Sequence, residues 1–185
     1  MPLDVGWALD WIRAAAKAVA DHREELIDLD RQIGDGDHGT NLDRGFTAVL
    51  ARLDALDAPP VQVGDVLRLV ATTLMSTVGG ASGPLYGSAF LRAAKAAAAP
   101  DLDTPGVVAL LEAGLDGIVT RGAAAPGEKT MVDAWAPAVD AAVAAADNGA
   151  SPAAVLAAAG VAAQAGALAT IPLVATKGRA SFLGA

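Results

Sequence analysis

Apolar positions recur along most of this chain at the three- and four-residue spacing of helices, and the interruptions between them are short. From about Val5 to Asp30, the residues Leu9, Ile12, Ala16, Val19, Leu26 and Leu29 fall near helical spacing and predict one long first helix. Leu42, Phe46, Val49, Leu50 and Leu53 share a face of a second helix, closed by the consecutive prolines of DAPP. A third covers Gly64 to Val78 and stops at Gly79-Gly80. The fourth starts at Ser82 as N-cap, with Pro84 tolerated in the first turn. Thr104-Pro105 opens the fifth, which Gly122 ends. Thr130 with Asp133 is a capping-box variant for the sixth, and Ser151-Pro152 starts a seventh that fades near Ile171-Pro172. No convincing strand is present. The expectation is an all-α fold in one domain over residues 1–185, with neighbours antiparallel because the connections are short.

Composition sharpens this picture. Apolar residues are 54% of the chain but aromatics only 4%, and much of the rest is alanine, which favours closely packed helices. A formal net charge of −8 argues against nucleic acid as a partner, since a phosphate backbone needs a basic face. The absence of cysteine removes disulfides and thiolate metal sites and suits the cytoplasm. The opening MPLDVGWALDW carries acids where a secretory signal has a basic region. The Ala-rich stretch from Ala141 is broken by Asp147, Asn148, Gly149, Ser151 and Pro152, so no membrane span is expected.

The chemistry sits in the connections. In LDRQIGDGDHGTN, Asp30, Asp35 and Asp37 can converge if the first helix ends near Asp30 and the glycines fold the chain back. Three carboxylates suit Mg²⁺, although a simple turn with solvated acids is the competing reading. An EF-hand is excluded, because the position that needs a bidentate Glu is Phe46. His38 either donates to a phosphate or merely starts the second helix, whereas His22 reads as an ordinary solvated residue. Thr40 and Asn41, in a first helical turn, are plausible anion contacts. GGASGP allows backbone to approach a phosphate and is equally compatible with plain capping; it is no Walker A loop, lacking Gly-Lys-Ser/Thr. ATKGRAS sets Lys177 and Arg179 together. In an up-and-down bundle, the connections after helices one, three and five and the tail after helix seven emerge at one end. The four unusual segments therefore share a rim, and carboxylates, glycines and cations together suggest a nucleotide–Mg²⁺ site.

LDRQIGDGDHGTN, GGASGPLYGSAF, PGEKTMVDAWAP and ATKGRAS, in this order over nearly the whole chain, resemble the nucleotide-binding subunit or domain of dihydroxyacetone kinases. The resemblance implies an antiparallel barrel of seven to eight amphipathic helices that holds ADP or ATP at one rim through Mg²⁺. It implies Asp30, Asp35 and Asp37 as metal ligands. His38, Thr40, Asn41, Gly79, Gly80, Ala81, Ser82, Gly122, Thr130, Met131 and Arg179 become nucleotide contacts, with Met131 near the base. No residue acts as a protein nucleophile. The implied partner is a separate triose-binding kinase subunit, with a phosphotransferase-system phosphocarrier if the donor is phosphoenolpyruvate; homo-oligomers stay open. Related domains serve kinases for erythrulose, other small acceptors or fatty acids, and a non-catalytic nucleotide- or metal-sensing module is the alternative of a different class. Such proteins continue past a motif like SFLG into an Asp-Pro-Gly loop and a final helix. This sequence stops at Ala185: a shortened chain is expected to leave an open apolar seam beside the seventh helix, and one of natural length to fill it with a neighbouring subunit or rearranged helices.

Overall fold

The structure, a computed structural model, describes residues 3–183. Gly184 and Ala185, at the end of the ATKGRASFLGA segment, lie outside the described residues. Eight α-helices run α1 (Val5–Asp21), α2 (Arg23–Arg31), α3 (His38–Asp54), α4 (Val63–Thr77), α5 (Ser82–Ala96), α6 (Thr104–Gly122), α7 (Val132–Asp147) and α8 (Pro152–Ala169). A 3₁₀ turn covers Arg179–Leu183. Two two-residue strands, β1 (Leu3–Asp4) and β2 (Asp101–Leu102), pair antiparallel with Leu3 opposite Leu102.

Three features differ from expectation. The long first helix is two, because His22 leaves helical geometry at φ −101°, ψ 11° while the apolar spacing continues through it. The strand pair, too short to show alternation, ties the N-terminus to the α5–α6 connection. Two caps are also displaced. Asp103, not Thr104, caps α6 by accepting from Gly106 N–H at 2.9 Å, and the Thr104 hydroxyl donates instead to Ala150 O. Ser82 is the first residue of α5 rather than its cap, and its hydroxyl donates back to Gly79 O at 3.3 Å.

The core forms where α4 lies among α1, α3 and α5. Val66, Leu67, Val70 and Leu74 of α4 are fully enclosed, with Ile12, Val49 and Leu110 from neighbouring helices. From α2 to α8 each helix packs on the one before it, so short connections set them up and down. Small residues allow close approach: a Cβ on Gly117 of α6 would lie 2.6 Å from the Ser88 carbonyl oxygen of α5. The polar break after Ala141 falls in the α7–α8 turn, leaving α8 as 18 uncharged residues, long and apolar enough by length and composition to cross a bilayer. It packs along α7 and buries only Val155 and Ala159 fully, while Val161 and Leu168 stay 71% and 61% exposed. An apolar face beside the seventh predicted helix is thus open.

Candidate functional site

The α2–α3 turn folds because Asp30 acts across it. Asp30 Oδ2 accepts from the backbone N–H of Asp37 at 2.8 Å and of His38 at 3.2 Å. No side chain of the N-cap residue serves α3, so Asp30, seven residues upstream, supplies the acceptor its first turn needs. Gly36 at φ +72° lets the chain reverse. The result gathers one oxygen each of Asp30, Asp35 and Asp37 within 4.8 Å of one another. Three like charges at that spacing repel, and a cation answers them: Arg179 Nη1 lies 2.9 Å from Asp35 Oδ1. This hydrogen bond holds the Asp35 carboxyl below its ordinary value and raises the Arg179 guanidinium. The donor set is hard oxygen alone, which fits Mg²⁺.

Opposite the acids, α4 ends and α5 begins in four residues. Gly80 adopts φ +68°, and no side-chain cap occupies the start of α5. Its first N–H groups are therefore free to meet an anion, with the helix dipole in support. Asp30, Asp35, Asp37, His38, Asn41, Gly79, Gly80, Ala81, Ser82, Met131 and Arg179 all border one cavity of about 500 Å³. Gly122 and Thr130 border a second, more apolar cavity of similar volume, walled by Leu85, Ile118 and Val132. Ala81, Leu85, Met131, Lys177 and Gly178 border both, so the two cavities meet along that line. Thr40 is the exception among the sequence-derived contacts. It is exposed on α3, one helical step from Asn41, and borders neither cavity.

Two lysines hold this rim together. Lys129 Nζ donates to the carbonyls of Ile171 (3.1 Å) and Leu173 (2.9 Å), tying the α6–α7 loop to the tail. Lys177 Nζ returns from the tail to Ala123 O at 2.9 Å and lies 3.7 Å from Glu128. The clasp holds two uncommon backbone conformations, Ala123 at φ 47° and Lys129 at φ 57°. Only the pairing of Lys177 with Arg179 hinted at it in the sequence. Thr130 does serve the start of α7: its N–H donates to Asp133 Oδ2 at 2.7 Å, and its hydroxyl accepts from Val132 N–H.

Comparison with known proteins bears on this rim. Residues 32–185 match the DAK2 domain family. The PEP-dependent dihydroxyacetone kinase, ADP-binding subunit DhaL, of Escherichia coli is 40% identical over 177 residues, covering 95% of this chain and 83% of that protein. The PEP-dependent dihydroxyacetone kinase 1, ADP-binding subunit DhaL, of Listeria innocua is 43% identical over 141 residues, 76% of this chain and 70% of that one. The crystal structure of the dihydroxyacetone kinase from C. freundii in complex with AMP-PNP and Mg²⁺ superposes with a TM-score of 0.75 at 26% identity. That match takes in 98% of this chain and 31% of the kinase, so the chain spans about a third of that protein's length.

Proposed function

The chain belongs to the DAK2 domain family, and from that premise we propose that it is the nucleotide-binding, phosphoryl-transferring subunit of a dihydroxyacetone kinase. The observation that carries the reading is the meeting of three carboxylates, a glycine turn at an uncapped helix start and Arg179 around one cavity, with an apolar cavity adjoining it.

In this reading Asp30, Asp35 and Asp37 hold Mg²⁺, which neutralises phosphate oxygens when bound. The backbone at Gly79, Gly80 and Ala81, the start of α5 with Ser82, and the side chains of Asn41 and His38 bind the phosphates. Arg179 adds a charge-assisted contact. Met131, Leu85 and Ile118 take the base, with Gly122 and Thr130 at the edge of that wall. Phosphoryl transfer depends on positioning and charge stabilisation, so no protein nucleophile is required. The triose is bound by a partner subunit, and the chain works in the cytoplasm.

The relatives covering most of the chain are named PEP-dependent and ADP-binding. We therefore favour ADP as a resident cofactor that a phosphocarrier rephosphorylates, over ATP that binds and leaves as ADP. The test is reconstitution: this chain, a triose-binding subunit and either ATP or a phosphoenolpyruvate-driven phosphocarrier are mixed with dihydroxyacetone and, separately, erythrulose. Triose phosphate should appear only when this chain is present, and faster with the phosphocarrier. Product formed equally well without this chain would overturn the proposal.

A further inference from the structure

Asn41 is only 8% exposed, and a side-chain amide this enclosed has a donor and an acceptor end to satisfy. Its Oδ1 accepts from Arg44 Nη2 at 2.8 Å, one helical turn later on α3. A guanidinium carries donors only, so this contact fixes which end of the amide faces Arg44 and turns Nδ2 the other way. On that side lies the glycine turn: a Cβ built on Gly79 would be 3.4 Å from Nδ2. Among the described residues Nδ2 has no hydrogen-bond partner and is not sealed from solvent, while Asn41 borders the cavity shared with the three aspartates.

The same edge of the Arg44 guanidinium also reaches the second loop. Its Nη2 and Nε donate to the Thr77 carbonyl at 2.9 and 3.3 Å. Thr77 is the last residue of α4, where carbonyls lack helical partners and a cation complements the dipole. Gly79 and Gly80 follow within three residues. One planar fork therefore joins the amide at the start of α3 to the end of α4, from a position that borders neither cavity.

We propose that Arg44 is a positioning residue: it aims the Asn41 N–H₂ group at the nucleotide phosphates and holds the glycine turn in register with it. The inference rests on the nucleotide reading above. Lysine is not equivalent, because a single ammonium lacks the planar fork.

The experiment is a double-mutant cycle on Mg²⁺–ADP affinity, read by calorimetry alongside melting temperature. Asn41→Ala and Arg44→Met should each weaken ADP on the order of tenfold. The double variant should lose clearly less than the sum of the two single losses, because Arg44 acts in part through that amide. Arg44→Lys should recover melting temperature through its charge at the end of α4 but not ADP affinity. Additive losses in the double variant, unchanged affinity in Arg44→Met, or full recovery of affinity in Arg44→Lys would each overturn the proposal. Absence of ADP binding in the unaltered protein would instead strike the nucleotide reading, and this inference with it.

Discussion

Arg179 Nη1 rests 2.9 Å from Asp35 Oδ1, so a cation from the chain's tail lies against the acidic turn between α2 and α3. Arg179 offsets part of the negative charge that a divalent ion held by the same carboxylates would also neutralise. The two compete for Asp35. Arg179→Ala should therefore weaken ADP by roughly tenfold or more, through loss of a charge-assisted contact, yet leave Mn²⁺ alone bound at least as tightly as before. Calorimetry with ADP and electron paramagnetic resonance with Mn²⁺ read the two effects separately. Loss of Mn²⁺ binding would contradict the competition.

The three aspartates should not behave alike. Asp35 and Asp37 are exposed, and among the described residues neither carboxylate accepts a backbone N–H from another residue, so Asp35→Ala or Asp37→Ala should abolish Mg²⁺-dependent ADP binding with little change in stability. Asp30 also serves as the acceptor for the start of α3. Asp30→Ala should lose ADP binding and about 1 kcal/mol of unfolding free energy, the ordinary effect of removing a cap. Urea unfolding of the three variants checks the difference.

Gly80 separates space from backbone. A Cβ there would meet nothing within 4 Å, but φ is +68°. Gly80→Ala should thus destabilise by about 1 kcal/mol through conformation alone. Gly80→Val should cost more and should also obstruct phosphate, lowering ADP affinity beyond the alanine variant. Equal ADP affinity in both would show that phosphate does not approach this turn.

The two cavities predict a division of labour. Met131 borders both and packs with Leu85, Ile118 and Val132. Met131→Ala should weaken ADP by roughly tenfold while leaving Mg²⁺–tripolyphosphate unaffected, because only the base loses apolar contact. Parallel titrations of the two ligands decide the matter.

Much of the helical layout was legible because prolines, glycines and caps punctuate it, and the gathering of four loops at one rim followed from counting short connections. His22 was not legible as a break: α1 and α2 keep the same apolar spacing on either side of it, and only its backbone angles depart. Ser82 has the residue type of a cap, but its hydroxyl turns back to Gly79 instead. Thr40 and Asn41 are adjacent in sequence, yet about 100° apart around a helix, so only one reaches the cavity. The Lys129 and Lys177 ties span 42 to 54 residues, a separation at which local pattern carries no signal. Arg44 could have been found, since a residue three positions after a polar helix residue shares its face.

The central claim is that one rim of this bundle binds a nucleotide through a metal held by Asp30, Asp35 and Asp37. Calorimetric titration of ADP into the unaltered protein, first with Mg²⁺ and then with the metal removed by EDTA, tests it most directly. The account predicts saturable one-to-one binding with Mg²⁺ and its loss in EDTA. Binding of equal strength in both conditions, or none in either, would contradict it.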